Sequence, residues 1–311
     1  MNDKIKQEVK KVIIGKDDII DKVLMAVLAG GHILLEDIPG VGKTTMATAF
    51  AKATRLSCNR ISFNPDVLPG DITGFTVYNK STGSFEFKPG AAMCNILLAD
   101  EINRGYSKTQ SALLEAMQEG RITVDGNTYD LPDPFVVIAT SNPVGTTGTA
   151  LLPESQLDRF MVCLKVGYPD SASQMEILKT YGAKEPMNSV QKVSDAKELL
   201  KMRKEVSQVF ISDQILDYII RLCEATRRQG NIELGVSPRG IYALSKMTKA
   251  CAYISDRNYC VPEDVQKCFV DVCTHRIILN AKSRMNKISA ERVLKHILNE
   301  IEVPKIGEKD A

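Results

Sequence analysis

The residues best suited to do chemistry are Pro39-Gly40-Val41-Gly42-Lys43-Thr44, followed by Thr45. A glycine-rich turn that opens a helix aims backbone N–H groups and the positive end of the helix dipole at one point, an arrangement suited to a polyphosphate. In that setting Lys43 reaches the β and γ oxygens and the Thr44 hydroxyl takes a Mg²⁺ ion, so the predicted ligand is Mg·ATP. Asp37 departs from the general GxxxxGK[ST] pattern, which has glycine at that place, whereas Gly40 and Gly42, nearest the phosphates, are kept.

Further candidates stand at the ends of other apolar runs. Ile96-Leu97-Leu98-Ala99 ends in Asp100-Glu101, so Asp100 can hold the metal through water while Glu101 polarises the attacking water. Ala139-Thr140-Ser141-Asn142-Pro143 places the Asn142 amide where it can bond a γ-phosphate or orient that water. Arg159, in Leu157-Asp158-Arg159-Phe160, is either a surface charge or a finger reaching the γ-phosphate of a neighbouring subunit. Arg239, in Gly235-Val236-Ser237-Pro238-Arg239-Gly240, falls in the first turn of a helix, where a cation opposes the dipole and an external anion would rationalise it.

The elements that must position these groups follow from periodicity. Five short apolar or β-branched runs, His32 to Leu35, Arg60 to Phe63, Asn95 to Ala99, Pro134 to Thr140 and Met161 to Val166, read as buried parallel strands. Helical patterns alternate with them at Lys43 to Ala53 and Ser107 to Glu119, the latter with a capping-box pattern, Ser107-Lys108-Thr109-Gln110, and a closing Gly120. Strand and helix alternation predicts a doubly wound α/β domain. Hairpin signals interrupt it around Gly74 to Phe87, with Ser81-Thr82-Gly83-Ser84 at the tip, and at Arg121 to Tyr129, turning at Asp125-Gly126. From about Tyr168 only helical periodicity remains, with start signals at Ser171, Ser237-Pro238 and Pro262. The expected division is residues 1–168 as the α/β domain, 169–303 as a helical domain and 304–311 as a polar tail.

A chain of 311 residues suffices for two such domains. Forty basic against 38 acidic residues give a net charge of +2, which does not advertise nucleic-acid binding by charge alone. No apolar run reaches the roughly 18 residues of a membrane-spanning helix. Met1 to Lys11 is charged and polar, so the chain is expected to be soluble and cytoplasmic. The eight cysteines include no CxxC pair and read as reduced, mostly buried thiols.

Together these residues resemble the MoxR family of AAA+ ATPases, from about Ile14 through Arg239, with a helical lid continuing to about Ile301. The most specific wording is Ala99-Asp100-Glu101-Ile102-Asn103-Arg104 and Gln110-Ser111-Ala112-Leu113-Leu114-Glu115-Ala116-Met117-Gln118-Glu119. Leu34 to Thr44, Leu68 to Gly74, Leu152 to Phe160 and Ser237-Pro238-Arg239 are also family-like, and Asp37 is ordinary in that family. Ser141 and Val144 to Gly148 depart from its commonest wording.

The resemblance implies a P-loop AAA+ domain with a five-stranded parallel sheet and β-hairpin inserts, followed by an all-α lid. It implies Asn142 as sensor 1, Arg159 as a trans arginine finger and Arg239 as sensor 2. It implies Ile14 and Gly15 as part of the adenine pocket, and Asn64 at the position of a polar switch that restrains the catalytic glutamate. It further implies ring hexamers that remodel a client protein beside a partner carrying a von Willebrand factor A domain, though no residue here displays that partner. Rival expectations are a nucleic-acid motor, for which Lys80 and Lys88 on the first hairpin would be relevant, a metal-chelatase motor subunit, and a non-catalytic nucleotide switch.

Overall fold

All five apolar runs form strands of one sheet, and the two interruptions form hairpins. The structure, a computed structural model, describes residues 1–36, 42–141, 152–181 and 186–304. The strands up to the end of the sheet are β1 (Ile33–Glu36), β2 (Cys58–Ser62), β3 (Gly74–Asn79), β4 (Ser84–Pro89), β5 (Ile96–Asp100), β6 (Arg121–Val124), β7 (Asn127–Asp130), β8 (Val136–Ser141) and β9 (Val162–Leu164). The five-stranded sheet runs β2-β5-β8-β1-β9. Its inner strands are apolar almost without interruption because helices cover both faces of a parallel sheet. Ile33 to Leu35, Leu97 to Ala99 and Val136 to Ala139 are all buried. Parallel pairing sets Ser62 opposite Asp100, Ala99 opposite Ala139 and Glu36 opposite Ser141, which aligns the carboxyl ends of four strands along one edge.

The helices are α1 (Asn2–Lys10), α2 (Asp17–Leu28), α3 (Lys43–Ala53), α4 (Pro69–Thr73), α5 (Ser107–Glu119), α6 (Glu154–Leu157), α7 (Ser171–Tyr181), α8 (Ala196–Gln208), α9 (Asp213–Arg228), α10 (Pro238–Ile254), α11 (Pro262–Cys273), α12 (Ala281–Met285) and α13 (Ala290–Glu300). Both sequence-predicted helices of the α/β region, α3 and α5, have the expected limits, and Gly120 closes α5 in the left-handed region at φ 65°. The capping box at Ser107 does not form. Tyr106 occupies the N-cap without a side-chain bond, Thr109 donates to the Val67 carbonyl at 2.8 Å, and Gln110 Nε2 donates to the carbonyls of Ile102 and Gly105, each at 3.0 Å. The amide therefore stitches the loop after Glu101 to α5 instead of capping the helix. Similarly, Asp170 accepts the Ser173 N–H at 2.7 Å and caps α7, the part the sequence assigned to Ser171.

β3 and β4 pair antiparallel with Asn79 opposite Ser84, and β6 and β7 turn through Asp125 (φ 50°) and Gly126 (φ 79°). Two successive left-handed residues make the tight turn whose twist matches antiparallel strands. The hairpins meet at Phe87 and Tyr129, whose rings stack at 4.0 Å with an interplanar angle of 12°. Phe75, nearer the base of the β3–β4 hairpin, and Tyr78 and Phe85, nearer its tip, are exposed, and Tyr78 meets Phe85 edge to face at 5.3 Å.

Contacts divide the chain into two compact units, one of Met1–Lys22, His32–Leu152 and Leu164–Leu200, the other of Val23–Gly31, Pro153–Cys163 and Lys201–Ala311. The second unit is helical apart from its share of β9 and a short ribbon in which β10 (Ile232–Leu234) pairs antiparallel with β11 (Ile278–Leu279). All eight cysteines are free, seven of them buried and Cys58 exposed. Among the described residues no helix is long and apolar enough to cross a membrane.

Candidate active site

Asp100 ends β5 and is buried, its side chain only 10% exposed. Oδ2 accepts from Arg60 Nε at 2.7 Å, and Oδ1 accepts from the Thr140 hydroxyl at 3.3 Å. A carboxylate offers about four lone-pair sites, so two partners leave room for a further, water-borne ligand. Thr140 Oγ1 also accepts the Glu101 N–H at 2.9 Å. One buried hydroxyl on β8 thus fixes the side chain of the first acid and the backbone of the second.

Glu101 adopts the left-handed conformation, φ 55° and ψ 45°, which is uncommon and costly for a residue other than glycine. That turn breaks the strand and lifts the carboxylate out of the sheet edge. There Oε2 accepts from Arg104 Nη1 at 2.6 Å, with both side chains part-exposed. Asn64, expected from the sequence at a restraining-switch position, has its Oδ1 accepting the Asp66 N–H at 2.7 Å in an Asx turn. Arg104 is the side chain holding Glu101 in this arrangement. Neither Arg60, Thr140 nor Arg104 stood out as a site residue in the sequence.

Gly42 precedes α3 at φ 86°, a backbone conformation that favours glycine, and Lys43, Thr44 and Thr45 form the first turn, all half-buried. A Cβ on Gly42 would lie 3.9 Å from Ile13 Cδ1, so the segment reaching Ile14 and Gly15 runs beside the start of α3. Gly15 itself is at φ 71°, and a Cβ there would strike Ser173 Oγ at 2.0 Å. Pro39, Gly40, Val41 and Asn142, all expected in the site, lie outside the described residues.

Arg159 and Arg239 belong to the other unit. Arg159 is half-buried between α6 and β9, and Arg239 is exposed at the second position of α10, after the N-cap Ser237 and Pro238. Beside them His275 is buried, and burial first, then the charge of Arg276, push its pKa well below the ordinary histidine value. It is therefore neutral in the folded protein, while the unfolded chain binds a proton as pH falls through about 6.5. Folded stability should drop with acidification, by up to about 1.4 kcal/mol per pH unit below that point. Thermal melts between about pH 7.5 and about pH 5.5 should show this slope, and His275→Gln should flatten it; equal slopes would dissociate it from His275.

Residues 32–162 match the model of the ATPase family associated with various cellular activities, and residues 224–297 match the AAA lid domain. Chaperone MoxR1 of Mycobacterium tuberculosis is 35% identical over 309 residues, covering 96% of this chain and 81% of that one. The chain belongs to the MoxR family of AAA+ ATPases. Another relative of this MoxR-family protein is YeaC of Bacillus subtilis, 44% identical over 96% of this chain and 93% of its own. A crystal structure from Cytophaga hutchinsonii superimposes with a TM-score of 0.91 at 38% identity, over 97% of this chain and 94% of that one. As a MoxR-family ATPase the chain binds nucleotide and hydrolyses ATP.

Proposed function

We propose that ATP, with Mg²⁺, binds at the start of α3 and that its hydrolysis drives chaperone-like remodelling of a client protein. The observation that carries the site is the Asp100-Glu101 pair, held by Thr140 at the sheet edge where β1 also ends, ahead in sequence of Gly42, Lys43 and Thr44. Pro39, Gly40, Val41, Gly42, Lys43, Thr44 and Thr45 surround the phosphates, Lys43 takes the β and γ oxygens, and Ile14 and Gly15 border the adenine. The Thr44 hydroxyl and the Asp100 carboxylate are hard oxygen donors that suit Mg²⁺ with few protein ligands. When bound, that ion neutralises phosphate charge as it develops.

Glu101 polarises the attacking water, Asn142 orients it as sensor 1, and Arg239 reads the γ-phosphate as sensor 2. Arg159 completes the site of a neighbouring copy in a ring, with six copies as the expected assembly. An ATPase domain of residues 1–168 works a lid of residues 169–303. The name of the mycobacterial relative supports a chaperone-like task, and the exposed Phe75, Tyr78 and Phe85 supply apolar contact for a polypeptide. A partner with a von Willebrand factor A domain is the expected adaptor, in the cytoplasm.

A lysine–phosphate contact is charge-assisted, worth about 1.5–3 kcal/mol and more when several oxygens are served. Lys43→Ala should therefore weaken Mg·ATP binding roughly a hundredfold in calorimetry. Unchanged affinity would move the nucleotide elsewhere. ATP turnover stimulated by nucleic acid, with a steep salt dependence, would favour a nucleic-acid motor over a protein remodeler.

A further inference from the structure

Within the helical unit a buried set of polar contacts joins the segment of Arg159 to the helix of Arg239. Asp158 immediately precedes Arg159, and the Ser237 hydroxyl lies 2.9 and 3.1 Å from its two carboxylate oxygens. Ser237 is also the N-cap of α10, accepting the Gly240 N–H at 3.1 Å, and Arg239 sits in that same first turn. Asp158 Oδ1 accepts a second bond from Arg276 Nε at 2.8 Å.

Arg276 is only 2% exposed, against 19% for Asp158. Its guanidinium donates further to the carbonyls of Asp158, Phe160 and Met161, and to Val272 on α11. One buried cation thus holds three successive stations of the segment on either side of Arg159. Gly240 allows the first turn of α10 to rest directly on it, since a Cβ there would come within 2.8 Å of Arg276 Cδ. A planar fork with fixed donor directions orients what it binds more strictly than a lone charge does.

We propose that Asp158 is a positioning residue which, through Arg276 and Ser237, fixes Arg159 and Arg239 as one rigid piece. The arginine offered to a neighbouring copy is then aimed by the same helix start that reads the copy's own nucleotide. This rests on the reading of Arg159 as a finger acting in trans.

The test mixes two subunit variants. Glu101→Gln donors keep Arg159 but do not turn over their own ATP, and Arg159→Ala acceptors keep Glu101 but offer no finger. Mixed assemblies should regain turnover, because donor Arg159 completes the acceptor site. Adding Asp158→Asn to the donor should cut the regained kcat by about 10- to 100-fold, since a displacement of about 1 Å at a reacting group costs up to about a hundredfold. The acceptor KM for ATP and co-assembly by size exclusion should stay unchanged, which a merely structural loss would not allow, whereas the donor's own ATP affinity should fall because Arg239 loses the same support. Ser237→Ala in the donor, which leaves the Arg276–Asp158 pair in place, should lower it by roughly 3- to 10-fold.

If the Glu101→Gln donor restores nothing, the trans-finger reading itself fails. If it restores turnover and the donors carrying Asp158→Asn or Ser237→Ala restore it equally, the positioning role is overturned. Should Asp158→Asn fail to fold or co-assemble, full restoration by the Ser237→Ala donor overturns it alone.

Discussion

Glu101→Gln should retain ATP while slowing its hydrolysis by about 10²- to 10⁴-fold, the usual contribution of a positioned general base. The substitution keeps the shape of the side chain and removes its capacity to take a proton. The backbone of the turn keeps other supports: Thr140 holds the Glu101 N–H, and Gln110 ties down the following loop through the carbonyls of Ile102 and Gly105. The lost ion pair with Arg104 is part-exposed and worth about 0–1 kcal/mol, too little to disturb nucleotide binding. Single-turnover hydrolysis with chromatography of the retained nucleotide separates binding from chemistry. Undiminished turnover would remove Glu101 from its role. The same trapped variant, purified from cells in ATP and analysed by mass spectrometry, is the direct route to the client.

Arg159→Ala should bind ATP normally and lose about 10³- to 10⁵-fold in turnover, because an arginine placed on the transferring phosphoryl group acts on charge that exists only in the transition state. Since the proposed recipient site lies on another copy, wild-type activity per subunit should rise with protein concentration and then saturate. Steady-state rates over a dilution series, read beside sedimentation at the same concentrations, check both statements. Turnover independent of concentration would describe a complete site within one copy and make Arg159 a surface charge.

Much of the scaffold was legible because local signals and tertiary needs coincide. The buried strands are continuous apolar runs, α3 starts at a left-handed glycine, and α5 stops at one. The acids at the end of β5 were legible for the same reason, as charge terminating a buried strand. What escaped were partners set by register. Arg60 and Thr140 each stand 40 positions from Asp100 and meet it only because β2 and β8 flank β5. Arg276 is 118 positions from Asp158. A capping pattern can be overridden, as at Ser107, when the side chains three positions along are drawn into neighbouring loops. The β10–β11 ribbon is two to three residues wide, too short to impose an alternation on the helical sequence around it.

The stacked rings of Phe87 and Tyr129 give the two hairpins a mechanical meaning. A single hairpin is a compliant spring, but two that are bolted face to face resist bending as a strut. β6 follows directly on Gly120 at the end of α5, whose other end begins three residues after Arg104. A load applied at the exposed aromatic tip of β3–β4 therefore has a stiff route through the ring stack and along α5 to the turn that seats Glu101, and the same route carries a displacement of that turn outward to the tip.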